Sequence, residues 1–172
     1  GNTFILKPSD RNPSAPEFII KLMNEAGFPK GVVNLINGGA ETVNQLLSHD
    51  DVDAVSFVGS TPVAKHIYES GTAGGKRVQA LGGAKNHMVV LPDADIDLAA
   101  DSAVSAAYGS AGERCMAISV VVAVGEVAEP LVNAISERID NLKIGPGMQP
   151  DSEMGPLISE EHRSRVVDYI NS

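Results

Sequence analysis

Several residue types and patterns that would decide a function class are scarce or missing. The chain has one cysteine, no tryptophan and only 4% aromatic residues. A single thiol leaves no internal disulfide framework and suits a reducing compartment. Basic residues number 13 against 22 acidic ones, for a net charge of -9, and the pI is about 4.8. That balance argues against a nucleic-acid or anionic-membrane partner. No apolar run approaches the roughly 20 residues that span a bilayer, and no signal-peptide pattern is present. The expected location is the cytoplasm, or the mitochondrial matrix in a eukaryote. The G-x-S-x-G elbow of one class of serine hydrolase is missing. So is the G-x-G-x-x-G turn of many dinucleotide folds, and residues 71–76 match a phosphate loop only superficially. His49, His66, His87 and His162 are scattered without paired ligand spacing. Asp93, Asp95 and Asp97 mimic the start of a calcium loop, but Leu98 stands at its glycine position and Val104 at its closing acid. No metal site is therefore expected.

What is present reads as alternating strands and helices. The 172 residues are 43% hydrophobic, enough to bury a core. Phe4-Ile5-Leu6 is expected to be a short buried strand, stopped by Lys7-Pro8. Ser14-Ala15-Pro16 opens a helix through Phe18, Ile19, Leu22, Met23 and Ala26, with Gly27 as its stop. A strand over 32–36, a helix with Val43, Leu46 and Leu47 inward, and a strand over 52–58 follow. The next helix points Val63, Ile67, Ala64 and Tyr68 inward, and the glycine-rich stretch 71–83 holds a short strand at 76–81. Such an order predicts right-handed crossovers and a parallel sheet, with ligands at the carboxyl ends of the strands. A composition shift at Gly82-Gly83-Ala84 predicts a boundary between domains 1–83 and 84–172. Beyond it come a strand at 86–91, an alanine-rich helix to about Tyr108 with Asp95 as N-cap, a strand at 118–124, a helix over 130–142 and a last helix capped by Ser159. The chain is expected to be a segment of a longer polypeptide.

Two places carry chemistry. Cys115 follows the small residues Gly109, Ser110, Ala111 and Gly112 and adjoins Arg114. Small neighbours let a substrate approach, and a guanidinium stabilises a thiolate or grips an anion. A lone cysteine is equally well a small buried hydrophobe. Gly59-Ser60 lies at a strand-to-helix turn, where free amides bind phosphate; an ordinary serine N-cap uses the same residues. Lys7 follows a strand and suits a ribose hydroxyl or phosphate, or solvent.

Gly1-Asn2-Thr3, Lys7-Pro8-Ser9-Asp10, Glu25-Ala26-Gly27-Phe28-Pro29, Val32-Val33-Asn34, Phe57-Val58-Gly59-Ser60-Thr61 and Gly112-Glu113-Arg114-Cys115 occur in the order and register of the aldehyde dehydrogenase superfamily. The resemblance covers essentially the whole chain. It implies an α/β fold: part of a Rossmann-type, parallel-sheet cofactor domain at 1–83, then part of an α/β catalytic domain at 84–172. It implies NAD as cofactor, with Lys7, Ser9, Asp10, Gly38, Gly59, Ser60 and Leu81 contacting it. Lys7 matches the lysine on the adenosine ribose, and Asp10 stands where glutamate is usual, an acid that still disfavours a 2'-phosphate. Cys115 matches the nucleophile that attacks an aldehyde and is left as a thioester.

Hydrolytic members usually carry Glu-Leu-Gly-Gly-Lys, whose glutamate activates the deacylating water. This chain reads Gln79-Ala80-Leu81-Gly82-Gly83-Ala84-Lys85, and Ala80 cannot act as a base. Together with Gly83-Ala84-Lys85-Asn86-His87 and Met116-Ala117 after the cysteine, this is similar to the CoA-acylating, methylmalonate-semialdehyde dehydrogenase branch. There coenzyme A takes the acyl group, and the arginine before the nucleophile, here Arg114, holds the substrate carboxylate. The resemblance implies a semialdehyde substrate, malonate or methylmalonate semialdehyde, products acetyl-CoA or propionyl-CoA, and a homo-oligomer. A hydrolytic enzyme with another base, and a non-catalytic structural piece, remain the alternatives. The family's oxyanion-hole asparagine, the glutamate on the nicotinamide ribose and the oligomerisation segment match no residues here, so these residues alone are expected to be inactive.

Overall fold

A computed structural model describes all 172 residues. They divide into two compact units, Gly1–Gly83 and Ala84–Ser172.

The first unit runs β1 (Phe4–Leu6), α1 (Ser14–Glu25), β2 (Val33–Leu35), α2 (Ala40–Ser48), β3 (Ala54–Val58), α3 (Thr61–Ala73) and β4 (Arg77–Leu81). β1 pairs in parallel with β2, Phe4 opposite Val33. β3 pairs in parallel with β4, Ala54 opposite Arg77 and Val58 opposite Leu81. Each parallel pair is joined through a crossover helix, as parallel strands require. Inside the unit, Ile20, Leu47, Ala64 and Ile67 are buried, with Ile67 only 1% exposed.

The second unit holds β5 (Asn86–Val90), α4 (Ile96–Tyr108), β6 (Ile118–Ala123), α5 (Ala128–Asp140) and α6 (Glu160–Asn171), with β5 and β6 parallel. Its core joins Val90, Ala99, Ala100, Val127 and Leu131, flanked by Met88, Ile96, Ala123 and Ile135. The alanines of α4 cost little side-chain entropy and let α5 approach closely. Truncating Leu131 (1% exposed) to alanine is the kind of change that costs about 2–5 kcal/mol. Arg138 on α5 ties the two helices together, paired with Asp97 and Asp101 of α4. Its guanidinium is pushed further up from its ordinary pKa, first by the hydrogen bond to Asp101 and then by that to Asp97.

The α/β class and the parallel pairing follow the expectation, but not the single sheet. The strands form three separate two-stranded pieces, and the ladder bonds end at the outer edge of each. Burial also departs from the pattern. Phe4 (53% exposed) and Ile5, on opposite faces of β1, both lie open, and β1 has only one strand neighbour. On α1 Ile20 is buried while Phe18, Ile19 and Leu22 are exposed, and on α3 Val63 and Tyr68 point outward. The buried face of α3 is Ala64, Ile67 and Gly71, spaced by three and four residues. Gly71 is therefore a helix residue rather than the start of a loop. A Cβ there would meet Val78 Cγ2 at 2.6 Å, so glycine is what lets α3 lie on β4.

Candidate active site

Three local arrangements hold the candidate residues, two in the first unit and one in the second. The parallel register of β1 and β2 brings their following turns together. Lys7 Nζ donates to the carbonyl of Gly38 at 2.7 Å and to that of Pro8. An ammonium has three protons, so one remains after these two bonds. The Asp10 carboxylate lies beside Gly39, 3.7 Å from where a Cβ would stand. Ser9 Oγ accepts from the Arg11 amide at 3.3 Å, which shapes the turn. Lys7, Ser9, Asp10 and Gly38 thus share one edge.

The second arrangement follows β3 and β4. The Gly59 amide donates to the Leu81 carbonyl at 3.0 Å, extending the ladder past Val58. Ser60 occupies the N-cap position of α3 with extended backbone (φ -66°, ψ 146°), yet its hydroxyl makes no cap bond. The ordinary capping role therefore does not account for that hydroxyl. The neighbouring Thr61 Oγ1 accepts from the Gly83 amide at 2.9 Å and holds the chain just past Leu81. Sequence reasoning missed Thr61, because a threonine at a helix start carries no sign of a partner 22 residues away. Ala80 lies in β4 opposite Phe57 and presents only a methyl group.

The third arrangement is the cysteine turn. After α4 the chain makes a short 3-10 turn, Gly109–Gly112, in which Ser110 (φ 52°) and Ala111 (φ 53°) adopt the left-handed conformation. Such a conformation costs non-glycine residues of order 1 kcal/mol each and persists only where surroundings fix it. Cys115 is exposed and unpaired. Arg114 folds back over Gly109: its Nε donates to Ser110 Oγ at 3.1 Å, and a Cβ on Gly109 would meet its guanidinium at 2.7 Å. The head of Arg114 borders a cavity of about 710 Å³ with Tyr108, Asp101, Glu137, Arg138 and Glu153. Cys115 does not line that cavity, so the two adjacent residues face different surroundings.

Asn86, at the start of β5, is the residue that the sequence did not reveal. Its Nδ2 donates to the carbonyls of both Cys115 and Ala117 at 2.9 Å. These bonds fix the backbone on either side of Met116 and set the exit from the turn into β6. Glu113 meets His162 of α6, Oε1 to Nε2 at 3.1 Å.

The chain is similar over its whole length to known proteins. Over 172 residues the chain is 53% identical to malonate-semialdehyde dehydrogenase 1 of Oceanobacillus iheyensis, covering 100% of this chain and 35% of that protein. Over 170 residues it is 54% identical to the malonate-semialdehyde dehydrogenase of Halalkalibacterium halodurans, covering 99% and 35%. Among solved structures, a Sinorhizobium meliloti 1021 protein assigned as a methylmalonate-semialdehyde dehydrogenase, complexed with NAD, superposes with a TM-score of 0.96. It is 50% identical, with 100% of this chain and 35% of that one covered. The methylmalonate-semialdehyde dehydrogenase of Oceanimonas doudoroffii gives 0.95 at 52% identity, covering 99% and 35%. The chain thus spans about a third of the length of these relatives. The aldehyde dehydrogenase family model matches residues 1–172, and the chain belongs to that family.

Proposed function

We propose that an enzyme built around this chain oxidises malonate or methylmalonate semialdehyde with NAD and transfers the acyl group to coenzyme A, releasing acetyl-CoA or propionyl-CoA and carbon dioxide. Residues 1–83 serve as part of the NAD-binding domain and 84–172 as part of the catalytic domain. NAD, when bound, supplies the electron acceptor. The residues present fit it. Lys7 keeps an unused proton on the edge it shares with Asp10, which suits ribose hydroxyls. Ser60 offers an uncommitted hydroxyl at a helix start, which suits a pyrophosphate. Gly59 shares that pyrophosphate turn, and Leu81, whose carbonyl accepts from the Gly59 amide, would contact the cofactor beside it.

In the second unit the Cys115 thiolate adds to the aldehyde carbon, and oxidation of the adduct leaves a thioester on the same sulfur. Arg114 grips the substrate carboxylate with paired hydrogen bonds. To reach a substrate at Cys115 its guanidinium leaves Ser110 Oγ. Ala80 is the single observation that carries the acylating reading. A methyl group in β4 activates no water, so a thiol clears the thioester. The whole enzyme is a homo-oligomer, and the exposed apolar residues of β1 and α1 pack against parts of the subunit outside these residues.

Product analysis tests the reading. The full-length enzyme, given either semialdehyde with NAD, should yield acyl-CoA and carbon dioxide when CoA is present and little free acid when it is absent. Free acid at an equal rate without CoA would overturn it.

A further inference from the structure

We propose that His162, 47 residues after Cys115 in sequence, is a positioning residue for the cysteine turn, acting through Glu113. The inference rests on Cys115 being the nucleophile. Two left-handed non-glycine residues, Ser110 and Ala111, make the turn a conformation that needs outside support. Asn86 supplies support after the cysteine. Before it, the side-chain tie is Glu113 to His162 at 3.1 Å, with the imidazole side chain 28% exposed and the carboxylate 39%.

The hydrogen-bond roles of the two ring nitrogens follow from their neighbours. Arg165 lies with a guanidinium nitrogen 2.8 Å from His162 Nδ1. A guanidinium only donates, so Nδ1 accepts and the ring proton sits on Nε2, which donates to Glu113 Oε1. With these roles a one-way chain of hydrogen bonds runs from Arg165 through His162 to Glu113. The backbone of His162 is itself fixed, because its amide donates to the N-cap Ser159 Oγ at 3.2 Å. In the same first turns of α6, Arg163 is paired with Glu160, and Glu161 carries a further negative charge. The N-terminal end of α6 thus holds Glu113 two residues ahead of the sulfur, where a displacement of about 1 Å can cost 100-fold in rate.

The test compares two variants in the full-length enzyme. H162F removes both hydrogen bonds; H162Q can still accept from Arg165 and donate to Glu113. Hydrogen exchange of the 112–117 amides should quicken about tenfold in H162F. The single-turnover burst of NADH should fall by a similar factor, with NAD affinity unchanged. H162Q should stay within about twofold of the parent in both. Combining H162F with Glu113→Leu should add little, since both break one chain. Unchanged exchange in H162F, an H162Q as impaired as H162F, or effects that multiply would overturn the proposal. So would exchange raised equally across α4 and β6, which marks general destabilisation. Exchange is read without turnover, so it stands apart from the nucleophile assignment: activity retained in Cys115→Ser would sink that assignment and leave the exchange result intact.

Discussion

The turns at the carboxyl ends of β3 and β4 and the turn that carries Cys115 reach a fixed geometry by different routes. After β3 the ladder itself continues, as the Gly59 amide bonds the Leu81 carbonyl, and one side chain, Thr61, ties the chain just past β4. Parallel pairing delivers that geometry to any sequence that forms the strands. The cysteine turn has no ladder. Its backbone passes through left-handed residues, and its position depends on side chains brought from β5 and α6. A ladder-built turn leaves few single side chains on which its shape depends, whereas the cysteine turn can be shifted by single substitutions at Asn86 or His162.

The largest expected effect separates chemistry from geometry. Cys115→Ser should lower turnover by at least about 1,000-fold, because a hydroxyl is far weaker as a nucleophile at neutral pH. The turn itself should keep its shape, since Asn86 holds the Cys115 carbonyl rather than its sulfur. An NADH burst assay checks the first part and hydrogen exchange of the turn the second. A burst of parental size would remove Cys115 from the mechanism.

Asn86→Leu is the next largest and strikes the geometry while sparing the sulfur. It strips a donor from two carbonyls, one of them partly buried, at a cost of about 1–3 kcal/mol. Turnover should drop about tenfold or more while NAD binding, proposed for the first unit, holds. Chemical denaturation and a cofactor titration read the two halves of that statement. A matching loss of NAD affinity would erase the contrast between the two kinds of turn.

What the sequence displayed follows the same division. Features made by near neighbours were legible. Asp95 caps α4 by accepting from the Leu98 amide at 3.0 Å, and Ser159 caps α6. The turns that follow β1 and β3 were legible too, because a strand-to-helix alternation dictates where they fall. Gly71 was not, since a glycine reads as a breaker until the close approach of α3 to β4 is seen. Nor were Asn86, Thr61 and His162. Each acts on a partner 22 to 49 residues away, and no period or local spacing encodes such a contact. The outward faces of β1 and α1 mislead as well. Their apolar pattern predicts burial, yet Phe4, Ile5, Phe18, Ile19 and Leu22 are exposed.

The smallest effect lies in the helix that supports the turn. Arg163 bonds Glu160 in the first turn of α6, and that hydrogen bond, more than the accompanying attraction, holds the Glu160 carboxyl below its ordinary pKa. A carboxyl depressed in the folded state stabilises the fold above the ordinary glutamate range and loses that contribution as pH falls through its lowered folded value. Glu160→Gln should therefore lower the melting temperature slightly near neutral pH, by about a degree for so exposed a pair. The difference between parent and variant should shrink towards zero as the solution is acidified. If the pair also orients α6 beneath the cysteine turn, the same variant should raise exchange of the 112–117 amides along this pH profile and by far less than H162F. An effect as large as that of H162F would mean that the electrostatics of α6, rather than the hydrogen-bonded chain through His162, hold Glu113 in place.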